Sequence, residues 1–227
     1  MNDLSIVIVT WNSEDYIADC LRSVCESRED LTLDVFVVDN NSADGTAGIV
    51  ERVFPQVHLI RNPANLGFAR ATNQGLRLGA GKYMLLLNPD TVIKNEALPL
   101  MVEFMDSNPR VGSLGPQLLN PDRTVQPSCR EFLSYEILIW EFTGLSRLFP
   151  HHHRFGRWRM GYFDHNSPRE VDQPMGACLM LRREALEEVG LLDEDLFMFM
   201  NDQDLCYRLK QAGWTNYFNP TSKVLHY

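Results

Sequence analysis

Short apolar runs punctuate the first half of the chain, each followed by a polar cluster and a segment of helical periodicity. Leu4 to Thr10 (LSIVIVT) predicts a first strand, Leu33 to Val38 (LDVFVV) a second, Val57 to Ile60 a third and Lys82 to Leu87 a fourth. Ile17, Leu21 and Val24 recur at helical spacing between the first two strands. Ser13 is placed to cap that helix, with Glu14 and Asp15 in the first turn, where the helix dipole favours acids. A short helix ends at Val53, and Asn65 to Leu78 reads as another. Several strands are almost continuously apolar rather than alternating, which is the pattern of a sheet covered by helices on both faces. The order β-α-β-α-β implies right-handed crossovers and an open, mostly parallel α/β sheet. Ligands of such sheets sit beyond the carboxyl ends of the strands, so the polar clusters there are the place to look for chemistry.

The alternation stops after residue 116. From Gln117 to Asp172 prolines, aromatic residues and His151-His152-His153 predict an excursion over one edge of the sheet rather than a second domain. Gly176 to Leu181 resumes as a buried strand, and Arg182 to Val189 reads as a helix. Gly190 to Met200 reads as a loop, and Asn201 to Ala212 as a helix ended by Gly213. A short strand-like stretch precedes Tyr227. Gly75, Gly79 and Gly81 flank a helix end, where C-capping accounts for part of them.

Composition narrows the function classes. The 227 residues are 44% apolar and 22% charged, ordinary for a globular chain with a full core. Twenty-one basic against 30 acidic residues leave a net charge of −9, which opposes nucleic-acid binding. No apolar run approaches the ~20 residues that span a bilayer. The amino terminus lacks a basic-then-apolar signal layout, so a cytoplasmic place is expected. Cys20, Cys25, Cys129, Cys178 and Cys206 are scattered without metal-ligand spacing, and the expectation is five reduced thiols, several of them core residues.

The candidate chemistry lies in acids at strand ends. Asp39 follows the second strand and Asn88-Pro89-Asp90 the fourth, so the two neighbour one another along the ligand-binding edge. Asp39 can accept from a base N–H or a ribose hydroxyl, and Asp90 can hold a divalent cation that bridges a diphosphate; both also suit caps or turns. Asp202 shares a helix face with Cys206 and Leu209 and can serve as a general base or as a first-turn carboxylate. Asp204 and Arg208 make an i,i+4 pair. His226 lies in an apolar stretch, where a core role competes with a ligand role. His151 to His153 with Arg154, Arg157 and Arg159 form a basic, aromatic patch, either a solvated loop or a surface for an anionic acceptor or lipid head group. There is no G-x-G-x-x-G after the first strand, no P-loop and no G-x-S-x-G elbow.

Six segments, in this order, resemble an inverting family 2 glycosyltransferase of the GT-A fold. They are Ser5 to Asn12, Val37 to Thr46, Asn65 to Ala69 with Asn73 and Gly75, Leu87 to Asp90, Gly176 to Arg183, and Asp202 to Leu209. The Asn-Pro-Asp form and the Asp-Asn-Asn-Ser turn are most similar to a rhamnosyltransferase-like branch that builds cell-surface polysaccharide. The resemblance implies one GT-A domain over residues 1–227, with a nucleotide-binding half (1–116) and an acceptor and catalytic half (117–227). It implies that Thr10, Trp11 and Asn12 line a nucleotide pocket, that Asp39 reads a pyrimidine, and that Gly67, Phe68 and Asn73 close over nucleotide and ribose. Asn88 stands at the first acid of the D-x-D position and Asp90 at its metal ligand, with His226 completing the shell of an Mg²⁺ or Mn²⁺ ion. Asp202 matches the general base.

The implied donor is a dTDP- or UDP-sugar, plausible as dTDP-rhamnose, and the implied acceptor a glycan or lipid-linked hydroxyl. Peripheral association with the inner face of the plasma membrane is compatible with such an acceptor. Three departures stand out: Asn88 and Asn201 where the family has acids, and Thr72 where many relatives have arginine. Relatives commonly continue past the final histidine, so a C-terminally truncated chain is a further expectation. The alternative readings are a catalytically weak or inactive sugar-nucleotide-binding module of the same fold and a nucleotidyltransferase. The latter should carry a Gly-rich basic loop where Trp11 to Asp15 stand.

Overall fold

The computed structural model describes residues 2–27, 30–94 and 96–227. The chain runs β1 (Leu4–Thr10), α1 (Ile17–Glu26), β2 (Leu33–Asp39), α2 (Thr46–Val53), β3 (His58–Arg61), α3 (Phe68–Leu78) and β4 (Tyr83–Leu87). Then come β5 (Thr91–Ile93), α4 (Ala97–Ser107), β6 (Val111–Leu119), β7 (Val125–Gln126), β8 (Cys129–Arg130), α5 (Tyr135–Phe142) and α6 (Leu145–Leu148). The remainder is β9 (Arg169–Glu170), β10 (Gln173–Pro174), β11 (Cys178–Arg182), α7 (Arg183–Val189), α8 (Asn201–Gln211) and β12 (Thr215–His226). The main sheet has the order β3-β2-β1-β4-β11-β6-β12-β5. The first four strands are parallel, as expected, and so are β6 and β12. β11 enters antiparallel between β4 and β6, and β5 is antiparallel to β12.

Alternation along the strands sorts the core into two layers. Ile6, Ile8 and Leu85 face Ile17 and Leu21 of α1 and Leu98, Met101 and Met105 of α4. Val7, Met84 and Leu86 face the other way, against α3, α7 and α8. The helices thus cover both faces, as the continuous apolar strands require. α3 lies so close to β1 that a Cβ on Gly75 would stand 2.5 Å from a Val7 methyl. Gly79 is the C-cap of α3, its N–H donating to the Gly75 carbonyl with φ −61 rather than left-handed, so capping accounts for that one as expected; close approach accounts for Gly75 and for Gly81, whose Cβ would strike the β1 backbone.

Three elements differ from expectation. Ser13 does not cap α1, which begins at Ile17 after Tyr16; Thr46 instead accepts the Ser13 backbone N–H at 2.8 Å. The Glu14 carboxylate is drawn across to the Gly45 N–H at 2.8 Å. β6 runs to Leu119, past residue 116 where the sequence pattern changes, and β12 is a 12-residue strand rather than a short one. The excursion then leaves the sheet and returns to it through β7 on β6 and β9 on β12. It has its own small core of Cys129, Met160, Phe163 and Val171 around Phe218 of β12. All five cysteines are free thiols and four are buried, with burial pushing the Cys20 and Cys129 thiols up to about 12.

Candidate active site

The carboxyl ends of β1 and β4, the entry to β11 and the start of α8 converge on one cavity of about 630 Å³. Its walls include Asn12, Phe68, Asn88, Asp90, Asp202 and His226, six of the eleven residues singled out from the sequence. Backbone register accounts for the convergence. Leu87 pairs with Cys178 and the Asn88 N–H donates to the Ala177 carbonyl, which brings the Asn-Pro-Asp turn beside Gly176. His226 pairs with Thr91, and the Tyr227 N–H donates to the Asp90 carbonyl, so the far end of the chain is laced onto the same turn.

Asp202 stands in the first turn of α8, where the helix dipole favours a carboxylate. Its Oδ2 accepts the Gly176 N–H at 2.9 Å. A Cβ on Gly176 would lie 3.1 Å from that oxygen, so glycine gives the carboxylate its place. Beside it, the Oδ1 of Asn201 is buried without a hydrogen-bond partner, on a residue that lines the cavity. The two residues before α8, Phe199 and Met200, have left-handed φ values of 65 and 63, a strained pair of which Phe199 lines the cavity and Met200 the groove beside it.

Asp90 and His226 form the second focus. The imidazole Nε2 is 3.6 Å from Asp90 Oδ1, an oxygen that is buried and accepts no hydrogen bond. Gln126, which the sequence reading did not single out, decides which nitrogen carries the proton. Its Nε2 donates to Asn120 Oδ1 at 3.0 Å, so its Oε1 faces the ring and accepts from His226 Nδ1 at 2.7 Å. The Asn120 amide in turn donates to the Thr124 hydroxyl, which donates to Asp122 at 2.6 Å. Hydrogen bonds from the Thr124 hydroxyl and backbone N–H hold the Asp122 carboxyl below its usual range. With Nδ1 donating to Gln126, Nε2 is the ring nitrogen that faces Asp90. Among the described residues no group of three or more His, Cys, Asp and Glu side chains could hold a metal. An imidazole and one orphaned carboxylate oxygen suit a hard cation whose remaining ligands come from phosphate and water.

The other expected pocket residues stand back from the cavity. Thr10 and Asp39 are opposed in register, and the Thr10 hydroxyl donates to Asp39 Oδ1 at 3.2 Å while the Ser42 N–H donates to Oδ2. Trp11 is 56% exposed. Gly67 begins α3 with φ 85 and packs against Phe197, where a Cβ would meet the ring at 2.7 Å. Asn73, expected over the ribose, is buried, and its amide is consumed elsewhere. It donates to the Leu192 carbonyl and to Glu194 and accepts the Leu192 N–H, tying α3 to the loop before α8.

A family model described as glycosyl transferase family 2 matches residues 5–190. The chain belongs to that family. It is 32% identical over 238 residues to the N-acetylglucosaminyl-diphospho-decaprenol L-rhamnosyltransferase of Mycobacterium tuberculosis, covering 99% of this chain and 76% of the relative. A low-salt glycan biosynthesis hexosyltransferase of Haloferax volcanii is 26% identical over 94% of this chain and 63% of its own length. Among solved structures, the mannosyltransferase PcManGT of Pyrobaculum calidifontis with GDP-Man and Mn²⁺ superposes with TM-score 0.66 at 20% identity. That match covers 100% of this chain and 59% of the neighbour. GalNAc-T7 with UDP, GalNAc and Mn²⁺ gives TM-score 0.70 at 16% identity, covering 100% and 44%. These neighbours establish the GT-A fold.

Two further features of this family 2 chain concern the shell of the site. Buried Asn40 holds the loops after β2 and β3 together: its Oδ1 accepts from Asn62 and the Leu66 N–H, and its amide donates to Asn65 and the Gly67 carbonyl. Asn40→Ala is expected to destabilise the protein by about 2–3 kcal/mol, since it strands several polar groups at once. Chemical denaturation checks this, and a loss within error of zero would show that water replaces the network. Each arginine of the basic patch has a carboxylate beside it at the surface. Arg154 and Arg157 pair with Glu136 and Glu131, and Arg159 with Glu141.

Proposed function

We propose that the chain transfers a sugar, rhamnose foremost, from a dTDP- or UDP-sugar to a hydroxyl of a glycan or lipid-linked acceptor in cell-surface polysaccharide synthesis. The observation that carries this is the cavity's pair of buried, unpartnered acceptors, Asp90 Oδ1 and Asn201 Oδ1, flanking the Asp202 carboxylate. One calls for a cation and the other for a hydroxyl. The relatives act in glycan synthesis, and the mycobacterial one takes a diphospho-decaprenol-linked acceptor by its name. Asp90 and His226 are the residues to hold Mg²⁺ or Mn²⁺, which when bound neutralises the departing diphosphate.

Asp202 takes the proton of the acceptor hydroxyl. The hydroxyl oxygen bonds to the anomeric carbon as the bond from that carbon to the phosphate oxygen breaks, the nucleoside diphosphate leaves with the electron pair, and the configuration inverts. Asn201 Oδ1 accepts from a second hydroxyl and orients the sugar. Asn12 and Phe68 flank the nucleotide, with Thr10 and Asp39 setting the floor on which the base lies. The intact Asp202 speaks for turnover rather than for a binding module. No helix among the described residues is long and apolar enough to cross a membrane.

Thermal shifts with dTDP, UDP, GDP and NAD, each with and without Mn²⁺, test the reading. Saturation at a hundredfold excess over Kd adds about 2.7 kcal/mol. A shift with dTDP or UDP that depends on Mn²⁺ is expected, and no shift with either would overturn the donor assignment.

A further inference from the structure

α5 leaves most of its apolar side chains uncovered. Tyr135, Leu138, Ile139 and Phe142 fall at i, i+3, i+4 and i+7, a single apolar stripe, yet all four are exposed, Tyr135 at 90% and Phe142 at 88%. The opposite side, turned toward the protein, buries Ile137 and carries Glu136, Trp140 and Glu141. Glu136 is held by Arg154 at 2.8 Å and Glu141 by Arg159 at 3.7 Å, while Arg154 also lies over the Trp140 ring. An amphipathic helix of a globular protein ordinarily buries its apolar stripe. The ion pairs fix this one the other way round, and α6 extends the exposed surface with Leu148 and, just after it, Phe149.

We infer that the α5–α6 face docks on the interfacial zone of an anionic lipid bilayer, and three observations select that occupant. First, the charge fits. From Ser134 to Arg159, the stretch that holds α5 and α6, there are four arginines and two carboxylates, a local net of +2 in a chain of −9. Arg147 projects from α6 beside Leu148, exposed and outside every ion pair among the described residues. Second, the stripe combines aliphatic and aromatic side chains with a short helix that lies in a surface rather than crossing it. Third, the face is continuous with the active site. Leu133, immediately before the α5 cap, shares a groove with Leu196 and Met200, and the neighbouring Met198 and Phe199 line the cavity. An acceptor whose lipid stays in the bilayer thus meets an apolar path to Asp202. This last argument rests on the lipid-linked acceptor of the proposed function; the first two do not.

The test floats the intact chain with vesicles of phosphatidylcholine alone and of phosphatidylcholine with phosphatidylglycerol at about two to one. Binding to the mixed vesicles is expected to be about tenfold stronger than to the neutral ones, and to weaken as salt rises. Ile139→Glu with Phe142→Glu should reduce it at least about tenfold while sugar transfer to a short soluble acceptor is unchanged. Arg147→Glu keeps the inference falsifiable should the double variant fold poorly, because it should weaken binding to the mixed vesicles only. Wild-type protein that stays below the vesicles, or a folded double variant that floats as well as wild type, overturns the inference. So does a dimer that the double variant dissolves in place of vesicle binding, which would make a second copy the occupant. Flotation without transfer to any acceptor would support the docking face and remove the catalytic reading; transfer without flotation would do the reverse.

Discussion

Asp202→Asn is expected to lower turnover by about 10²- to 10⁴-fold while leaving affinity for the nucleoside diphosphate within about twofold. The substitution keeps the shape of the side chain. Its amide oxygen can still accept the Gly176 N–H, and α8 retains its first turn. What the amide lacks is a lone pair basic enough to take the acceptor's proton. Because the proposed base acts on the acceptor hydroxyl and not on the donor, the loss should fall on kcat and not on donor binding. Steady-state kinetics with isothermal titration of the nucleotide separate the two. A variant that keeps full turnover would place the base elsewhere in the cavity.

The second large effect concerns the Asp90 and His226 pair. Asp90→Ala should abolish the contribution of Mn²⁺ to nucleotide binding, because it removes the charged oxygen that has no other partner. Gln126→Met is the more discriminating change. It keeps the length and bulk of the side chain and deletes the acceptor that holds the proton on His226 Nδ1. Affinity for Mn²⁺ in the presence of nucleotide should fall about 10- to 100-fold. The ring nitrogens report on the cause without any turnover: in ¹⁵N spectra of the metal-free protein, His226 should be protonated at Nδ1 in the wild type and shared between both nitrogens in the variant. An unchanged tautomer would mean that Gln126 serves the fold alone.

The parallel half of this molecule is written locally. Each of its strands is a compact apolar run, and each polar cluster stands where the strand must end. Asp39, Asp90 and Asp202 could be found because strand ends and helix starts are local features. Their meeting is not local. Asp90 and His226 are joined by the register of β12 on β5, and no spacing records a pairing across that length of chain. β6 escapes detection because Gly112, Gly115 and Pro116 read as breakers. The structure accommodates Pro116 where β12 slips out of register between Asn219 and Lys223, so the missing N–H falls at an irregularity in the ladder. Gln126 lies on a two-residue strand within the excursion, too short to carry any periodicity. Asn73 shows a second thing that spacing does not record: the amide of this motif residue fastens α3 to a loop more than a hundred residues away.

The chain of hydrogen bonds from His226 through Gln126, Asn120 and Thr124 ends on an exposed turn. Surface turns are where sequences drift most freely, since few contacts penalise a change. Here a neutral-looking exchange at Thr124 or Asp122 is transmitted inward as a preference for one proton position over another. Under the proposed metal role of Asp90 and His226, the turn is placed as a tuning screw for descendants of this gene: metal affinity would be graded in small steps by substitutions that never alter the cavity itself.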